Sequence, residues 1–173
     1  MAIREILQFP NPRLKLHGKK VTDFGADTQS MCDDMFETHY AQQNCAALAA
    51  TQLDFDVPPH ITVIDFSPNK DKPLCLVNAE IVASSGELIE EEGCMSVGIG
   101  KGMVYAKVKR ATKITVHSQD RHGNTQNFDA DGFMAKCIQH ELDHLKGILF
   151  IDYLSPLKRT RIMAQLNKLK KKT

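Results

Sequence analysis

Two histidines four residues apart, with an acid between them, are the residues of this chain best suited to chemistry: His140-Glu141-Leu142-Asp143-His144. On a helix, positions i and i+4 share a face, so both imidazoles can offer a nitrogen to one metal ion. Glu141 follows the first histidine directly, where its carboxylate can take a proton from water on that ion. The pattern therefore points to metal-assisted hydrolysis.

Two histidines leave a catalytic tetrahedral centre one protein ligand short. A zincin would draw it from a downstream Glu, yet no Glu follows Glu141. A metzincin would place a third His at the position of Phe150. Both peptidase readings are poor, and the ligand must come from upstream. Cys94, in Glu92-Gly93-Cys94-Met95-Ser96, is the best candidate: the glycine permits close backbone approach, and a thiolate binds borderline divalent ions strongly. Cys137 competes with it, three residues before His140 on the same helix, although its apolar neighbours suit packing beneath the site. Cys32, Cys45 and Cys75 have no such context and read as structural. Gln52 ends the small apolar run Ala46-Ala47-Leu48-Ala49-Ala50, where a buried amide needs a partner and can donate to an oxygen that gains charge.

These groups must be held by a domain of modest size. The 173 residues fit one domain, 1–173, of α+β class. A net charge of +1 excludes a global pull toward DNA, and no apolar run approaches a membrane span. The first residues carry no signal-peptide pattern, and five cysteines without paired spacing suggest free thiols, so the reducing cytoplasm is the expected compartment. A short helix is expected at Pro12. A longer one is expected over 28–43, with Met31, Met35 and Phe36 inward and Asp33-Asp34 facing water. His60 to Phe66 and Pro73 to Val77 read as strands, and Ile114 to His117 with Asn127 to Asp129 read as a hairpin turning at Arg121-His122-Gly123-Asn124. The histidine helix should start at Asp131 or Gly132 and stop at Gly147. Its apolar Phe133, Met134, Cys137, Ile138, Leu142 and Leu145 mark it as buried and central. A last helix, 156–173, starts behind the cap Ser155 with Pro156 at its first position, and its outer side is basic: Lys158, Arg159, Arg161, Lys168, Lys170, Lys171 and Lys172.

Cys45 to Gln52, Glu92 to Ser96 and Gln139 to Gly147 together resemble the three motifs of bacterial-type peptide deformylases, which remove the formyl group from N-terminal formyl-methionine. The resemblance covers nearly the whole length. It includes Asn11-Pro12-Arg13-Leu14 and Phe150-Ile151-Asp152-Tyr153-Leu154-Ser155-Pro156-Leu157. It implies antiparallel or mixed sheets around a central buried helix carrying the histidine motif, followed by a C-terminal helix. It implies one divalent metal, Fe2+ first and Zn2+, Ni2+ or Co2+ as substitutes, held by Cys94, His140 and His144. Glu141 would be the base, with Gln52 and the Met95 backbone N–H facing the developing oxyanion. Ala46, Ala47, Phe133 and Cys137 would line the methionine pocket. N-formylmethionyl nascent peptides would be the substrates, and the basic last helix would contact the ribosome. The chain departs from the motifs at Cys45 and Ala47, where the family has glycine, at Gly98, at a glycine-rich stretch 98–108 that looks longer than usual, and at Lys136, which occupies a position that is often apolar. A non-catalytic relative that keeps the ion for folding and binds formylated N-termini is the alternative, and retention of Glu141 speaks against it.

Overall fold

The structure is a computed structural model that describes residues 2–98 and 102–171. Among the described residues, seven strands and three helices follow in the order α1 (Ala26–Ala41), β1 (Ala47–Ala49), β2 (Ile61–Ile64), β3 (Leu74–Ser85), β4 (Leu88–Glu92), β5 (Ala106–Arg110), β6 (Lys113–Gln119), β7 (Thr125–Asp131), α2 (Gly132–His144) and α3 (Pro156–Lys170). Short 3-10 turns occupy Pro12–Lys15, Ala50–Gln52 and Phe150–Tyr153. One sheet has the order β1-β2-β3-β6-β7, β4 and β5 form a second, and all pairings are antiparallel. The domain is α+β, as the sequence indicates.

The larger sheet lies between two helices. Along β1, Ala47 and Ala49 pack toward α2 while Leu48 packs toward α1. On β2 the same alternation sends Ile64 to the α2 side and Ile61 and Val63 to the α1 side. Strands covered on both faces read as unbroken apolar runs, which is why Ala46-Ala47-Leu48-Ala49-Ala50 is so uniform. The small alanines leave room for α2 to approach, and Ile138 and Leu142 fill the layer between helix and sheet. Full burial of such side chains contributes about 1.5–3 kcal/mol each, enough to hold α2 inside although it also buries Glu141 and His144.

Gly147 closes this helix as expected. Its φ is +73°, and the N–H groups of Gly147 and Ile148 return to the carbonyls of His144 and Asp143 at 3.0 and 2.9 Å. A Cβ there would stand 2.5 Å from the Lys15 carbonyl oxygen.

Several expectations need correction. Asp34 does not face water: it is buried, and its carboxylate accepts the Ala2 N–H at 2.7 Å and Arg4 Nε at 3.0 Å, tying the N-terminal segment to α1. Phe133 is not core but 51% exposed at the mouth of the cleft described below. Strand β3 runs well beyond Val77, through an irregularity at Asn78, whose φ of +53° is held by side-chain bonds to Val21 and Gln119. The β4–β5 ribbon had no counterpart in the sequence reading, and β5 takes up the end of the glycine-rich stretch. Residues 99–101 of that stretch, and Lys172 of the basic helix, lie outside the described residues. No helix among the described residues is long and apolar enough to cross a membrane.

The Gly147→Ala variant is expected to lose more than about 1 kcal/mol of stability, since it combines positive φ with a backbone clash. It should lower the urea midpoint at unchanged m value.

Candidate metal centre

Helix α2 carries Phe133, Lys136, Cys137, His140 and Glu141 along one face, at i, i+3, i+4, i+7 and i+8, and this face forms a wall of a cleft of about 580 Å³. The opposite wall is the loop after β4, with Gly93, Cys94 and Met95, and the back is Cys45, Ala46, Ala47 and Gln52. Every residue proposed from the sequence lies here except His144, which sits just beneath, almost fully buried. Gly93 leaves room for the Tyr105 ring: a Cβ there would stand 2.6 Å from it, and this exposed side chain would have to shift.

Three donor atoms converge at the base of the cleft. Cys94 Sγ lies 3.2 Å from His144 Nε2, which lies 3.1 Å from His140 Nε2, and all three atoms fall within 4.8 Å of one another. Bonds of about 2.0–2.3 Å to a tetrahedral ion give ligand–ligand edges of about 3.3–3.6 Å, so the triad is close to the size of a metal site. Its chemistry fits as well. One thiol and two imidazoles aimed at a shared point crowd their lone pairs, and a cation between them turns that repulsion into coordination. Cys137, the competitor, contributes no atom to the cluster and lines the cleft wall instead.

The surroundings orient the donors. Glu92 Oε1 lies 2.9 Å from His140 Nδ1, so that nitrogen donates to the carboxylate and Nε2 keeps its lone pair for an ion. Arg110 grips the same carboxylate through Nε and Nη2 at 2.8 and 2.9 Å and reaches Asp143 with Nη1 at 2.6 Å. Tyr153 donates to Asp143 at 2.8 Å. Burial opposes ionisation of Glu92, but Arg110 and His140 outweigh it and hold the carboxyl at about 2, against an ordinary 4.5. Burial lowers the pKa of His144 well below its usual value, which keeps it a neutral ligand. The Thr51 hydroxyl fixes the backbone of His144 by donating to its carbonyl at 2.7 Å.

Glu141 is different. It is buried, its Oε2 has no hydrogen-bond partner among the described residues, and burial pushes its carboxyl up to about 7. A carboxylate with a free oxygen and that proton affinity is poised to exchange protons near neutrality. Gln52 stands across from it. Its Oε1 accepts the Ala49 N–H at 2.9 Å, which turns its Nε2 toward Ser96 Oγ at 3.1 Å and Cys94 Sγ at 3.5 Å. Met95 borders the cleft, and its carbonyl accepts from Gln8 at 2.7 Å.

The family model for polypeptide deformylase matches residues 3–160. The chain belongs to the peptide deformylase family. Peptide deformylase 1 of Coxiella burnetii is 64% identical over 167 residues, covering 96% of either chain. Peptide deformylase 1 of Shewanella oneidensis is 48% identical over 168 residues, covering 97% of this chain and 96% of its own. A crystal structure of a peptide deformylase from Legionella pneumophila superposes with a TM-score of 0.89 at 42% identity, covering 98% of this chain and 96% of that one. Deformylase membership makes the chain a metallohydrolase acting on N-formylmethionyl peptides and implies a divalent metal, which the Cys94, His140 and His144 cluster can bind.

The reading from residues alone gave no role to Glu92, Arg110, Asp143, Ser96 or Thr51. Glu92 and Asp143 stood inside quoted motifs, and the available signal was an acid two residues before Cys94 and another directly before His144. Arg110 had none, since only the pairing of β5 with β4 brings it to the site.

Replacing Glu92 with Gln should weaken metal affinity about 10- to 100-fold in chelator competition. Because the folded pKa of Glu92 is depressed, its stabilisation is present above about 4.5 and disappears as pH falls toward about 2. Metal-free wild type should therefore lose stability across that window. Glu92→Gln, already weaker at neutral pH, should change less.

Proposed function

We propose that this deformylase acts through Cys94, His140 and His144 as metal ligands, Glu141 as general base and acid, and Gln52 with the Met95 backbone N–H as oxyanion donors. The observation that carries the reading is an unpartnered, buried Glu141 oxygen beside a converging Cys–His–His triad in an open cleft. A divalent ion held there supplies Lewis acidity, polarising the formyl carbonyl and acidifying water. Glu141 accepts a proton from the attacking water and returns it to the departing amine as the C–N bond breaks, so the products are formate and a free methionine amine. The Gln52 amide, locked by its bond to Ala49, donates to the carbonyl oxygen as negative charge grows there. Ala46, Ala47, Phe133 and Cys137 supply the apolar wall for the methionine side chain. The proposed ion is Fe2+, with Zn2+, Ni2+ or Co2+ able to replace it, because one thiolate and two imidazoles suit all four. A role limited to binding is not favoured, since a purely structural site has no use for Glu141.

The basic helix supports a second element of this reading, contact with ribosomal RNA. Ile162 and Leu166 of α3 pack on the core, while Lys158, Arg159, Arg161, Lys168 and Lys171 are exposed on its outer side. Such a face neutralises phosphates and holds the enzyme where formylated N-termini emerge.

Changing Cys94, His140 or His144 to Ala should abolish stoichiometric metal. Glu141→Ala should keep the metal and lose at least ~10²-fold in formate release from formyl-Met-Ala-Ser. Gln52→Leu should keep the metal and lose on the order of 10²-fold in kcat, with a change confined to KM arguing for positioning instead. Full turnover by Glu141→Ala would exclude the proposed base. Ribosome binding should weaken steeply with salt and on neutralising Lys158, Arg159 and Arg161, while turnover of free peptides survives. Salt-independent binding would rule out the phosphate contact.

A further inference from the structure

Lys136 is the basic side chain of Lys or Arg type on the cleft face of α2, one turn from the metal ligand His140 and one turn from Phe133. Lys136 Nζ donates to the Glu91 carbonyl at 2.7 Å and lies 3.4 Å from Glu90 Oε2, so its charge is tethered to β4 while its methylenes lie along the wall. A second cavity of about 200 Å³ adjoins the cleft and is bounded mostly by Leu88, Glu90, Val108, Arg110, Ala111 and Thr112. The two spaces share only two bounding residues, Phe133 and Lys136. Phe133 stands at the mouth, half exposed and edge-on to Phe66 at 4.8 Å. The inner part of the partition is therefore the stem of Lys136.

We propose that Lys136 is a specificity-determining residue: pinned to Glu90 and Glu91, it closes the cleft off from the side cavity and so limits how long an unbranched side chain the first substrate residue can carry. This rests on the deformylase reading of the cleft. The side chain of a formylated N-terminal residue enters along the α2 face that Phe133, Lys136 and Cys137 share. A methionine-length chain ends against the lysine methylenes. A longer chain meets the same methylenes and has to displace a tethered ammonium from two acceptors. With the stem removed, the two spaces join, and further methylenes can be buried beyond β4.

The test compares formyl-Xaa-Ala-Ser peptides whose first residue is methionine or carries a butyl, hexyl or octyl side chain, using metal-loaded wild type, Lys136→Ala, Lys136→Ser and Lys136→Met. Wild type should lose kcat/KM beyond methionine length. The Ala and Ser variants should raise the octyl-to-methionine ratio of kcat/KM at least about 10-fold. Lys136→Met keeps the length of the stem but loses both anchors, so its cut-off should fall between those of wild type and the small variants. Calorimetric affinities of the deformylated product peptides should follow the same order, independently of turnover. An unchanged ratio in both small variants, or a Met variant shifted as far as Ala, would overturn the proposal. Absence of formate from formyl-Met-Ala-Ser with wild type would overturn the function beneath it, a result that the length series cannot mimic.

Discussion

Three lone-pair donors brought together where water is largely excluded repel one another unless a cation sits between them, and the fold around α2 exists to enforce that arrangement. His140 and His144 come from a single helix and need only its pitch. Cys94 comes from a loop after β4 and has to be carried to them. The bond from Glu92 to His140 does this, because the last residue of β4 lies two positions before the thiol and fixes the loop against α2. Arg110 then makes the carboxylate tolerable in a buried place. A lone buried anion costs several kcal/mol, whereas a bidentate guanidinium partner with a second carboxylate behind it satisfies most of the lone pairs and protons in the group. Such a network contributes little net stability. It specifies a geometry.

The same logic explains why Glu141 is left alone. It neighbours His140 in sequence, yet the helix turns it toward the cleft and away from Arg110, which is spent on Glu92 and Asp143. Two carboxylates on neighbouring walls of one site, Glu92 on β4 and Glu141 on α2, therefore have opposite electrostatic fates. Glu92 is pulled down to about 2 and stays an anion that orients an imidazole. Glu141 is raised to about 7 by burial and can move a proton. Environments that push paired acids apart in pKa assign their roles.

Much of this was legible in the residues, for identifiable reasons. The helix α2 shows itself through apolar spacing and through Gly147, whose positive φ ends it. The missing third ligand could be placed upstream because Phe150 and the lack of a later Glu eliminated the downstream choices. The β4–β5 ribbon stayed hidden because it has almost no apolar alternation. Leu88 to Glu91 are all exposed, and of β5 only Val108 and Arg110 are buried. Arg110 therefore reads as one more surface base. Asp34 was misread for a related reason: an acid on an amphipathic helix looks solvated until the chain's own N-terminus folds over it.

The two replaced glycines of the first motif show how a local rule can be relaxed without moving the site. Ala47 lies in β1, extended and paired with Ile64, so no left-handed conformation is asked of it and its methyl group simply joins the packing against α2. That conformation is taken three residues before β1 begins, by Asn44 at φ +56°, a residue type that tolerates it. Cys45 fills the remaining space, half-buried, with His39 Nδ1 at 3.2 Å and the Ala47 carbonyl at 3.4 Å. Burial pushes its thiol up to about 12, so it remains a neutral donor. His39 in turn has its other nitrogen 3.0 Å from the Asp65 carbonyl, at the end of β2. The back of the cleft is thus bonded to α1 and to the strand that pairs with β1, and rigidity that glycine could not supply comes from side chains that fit an already extended backbone.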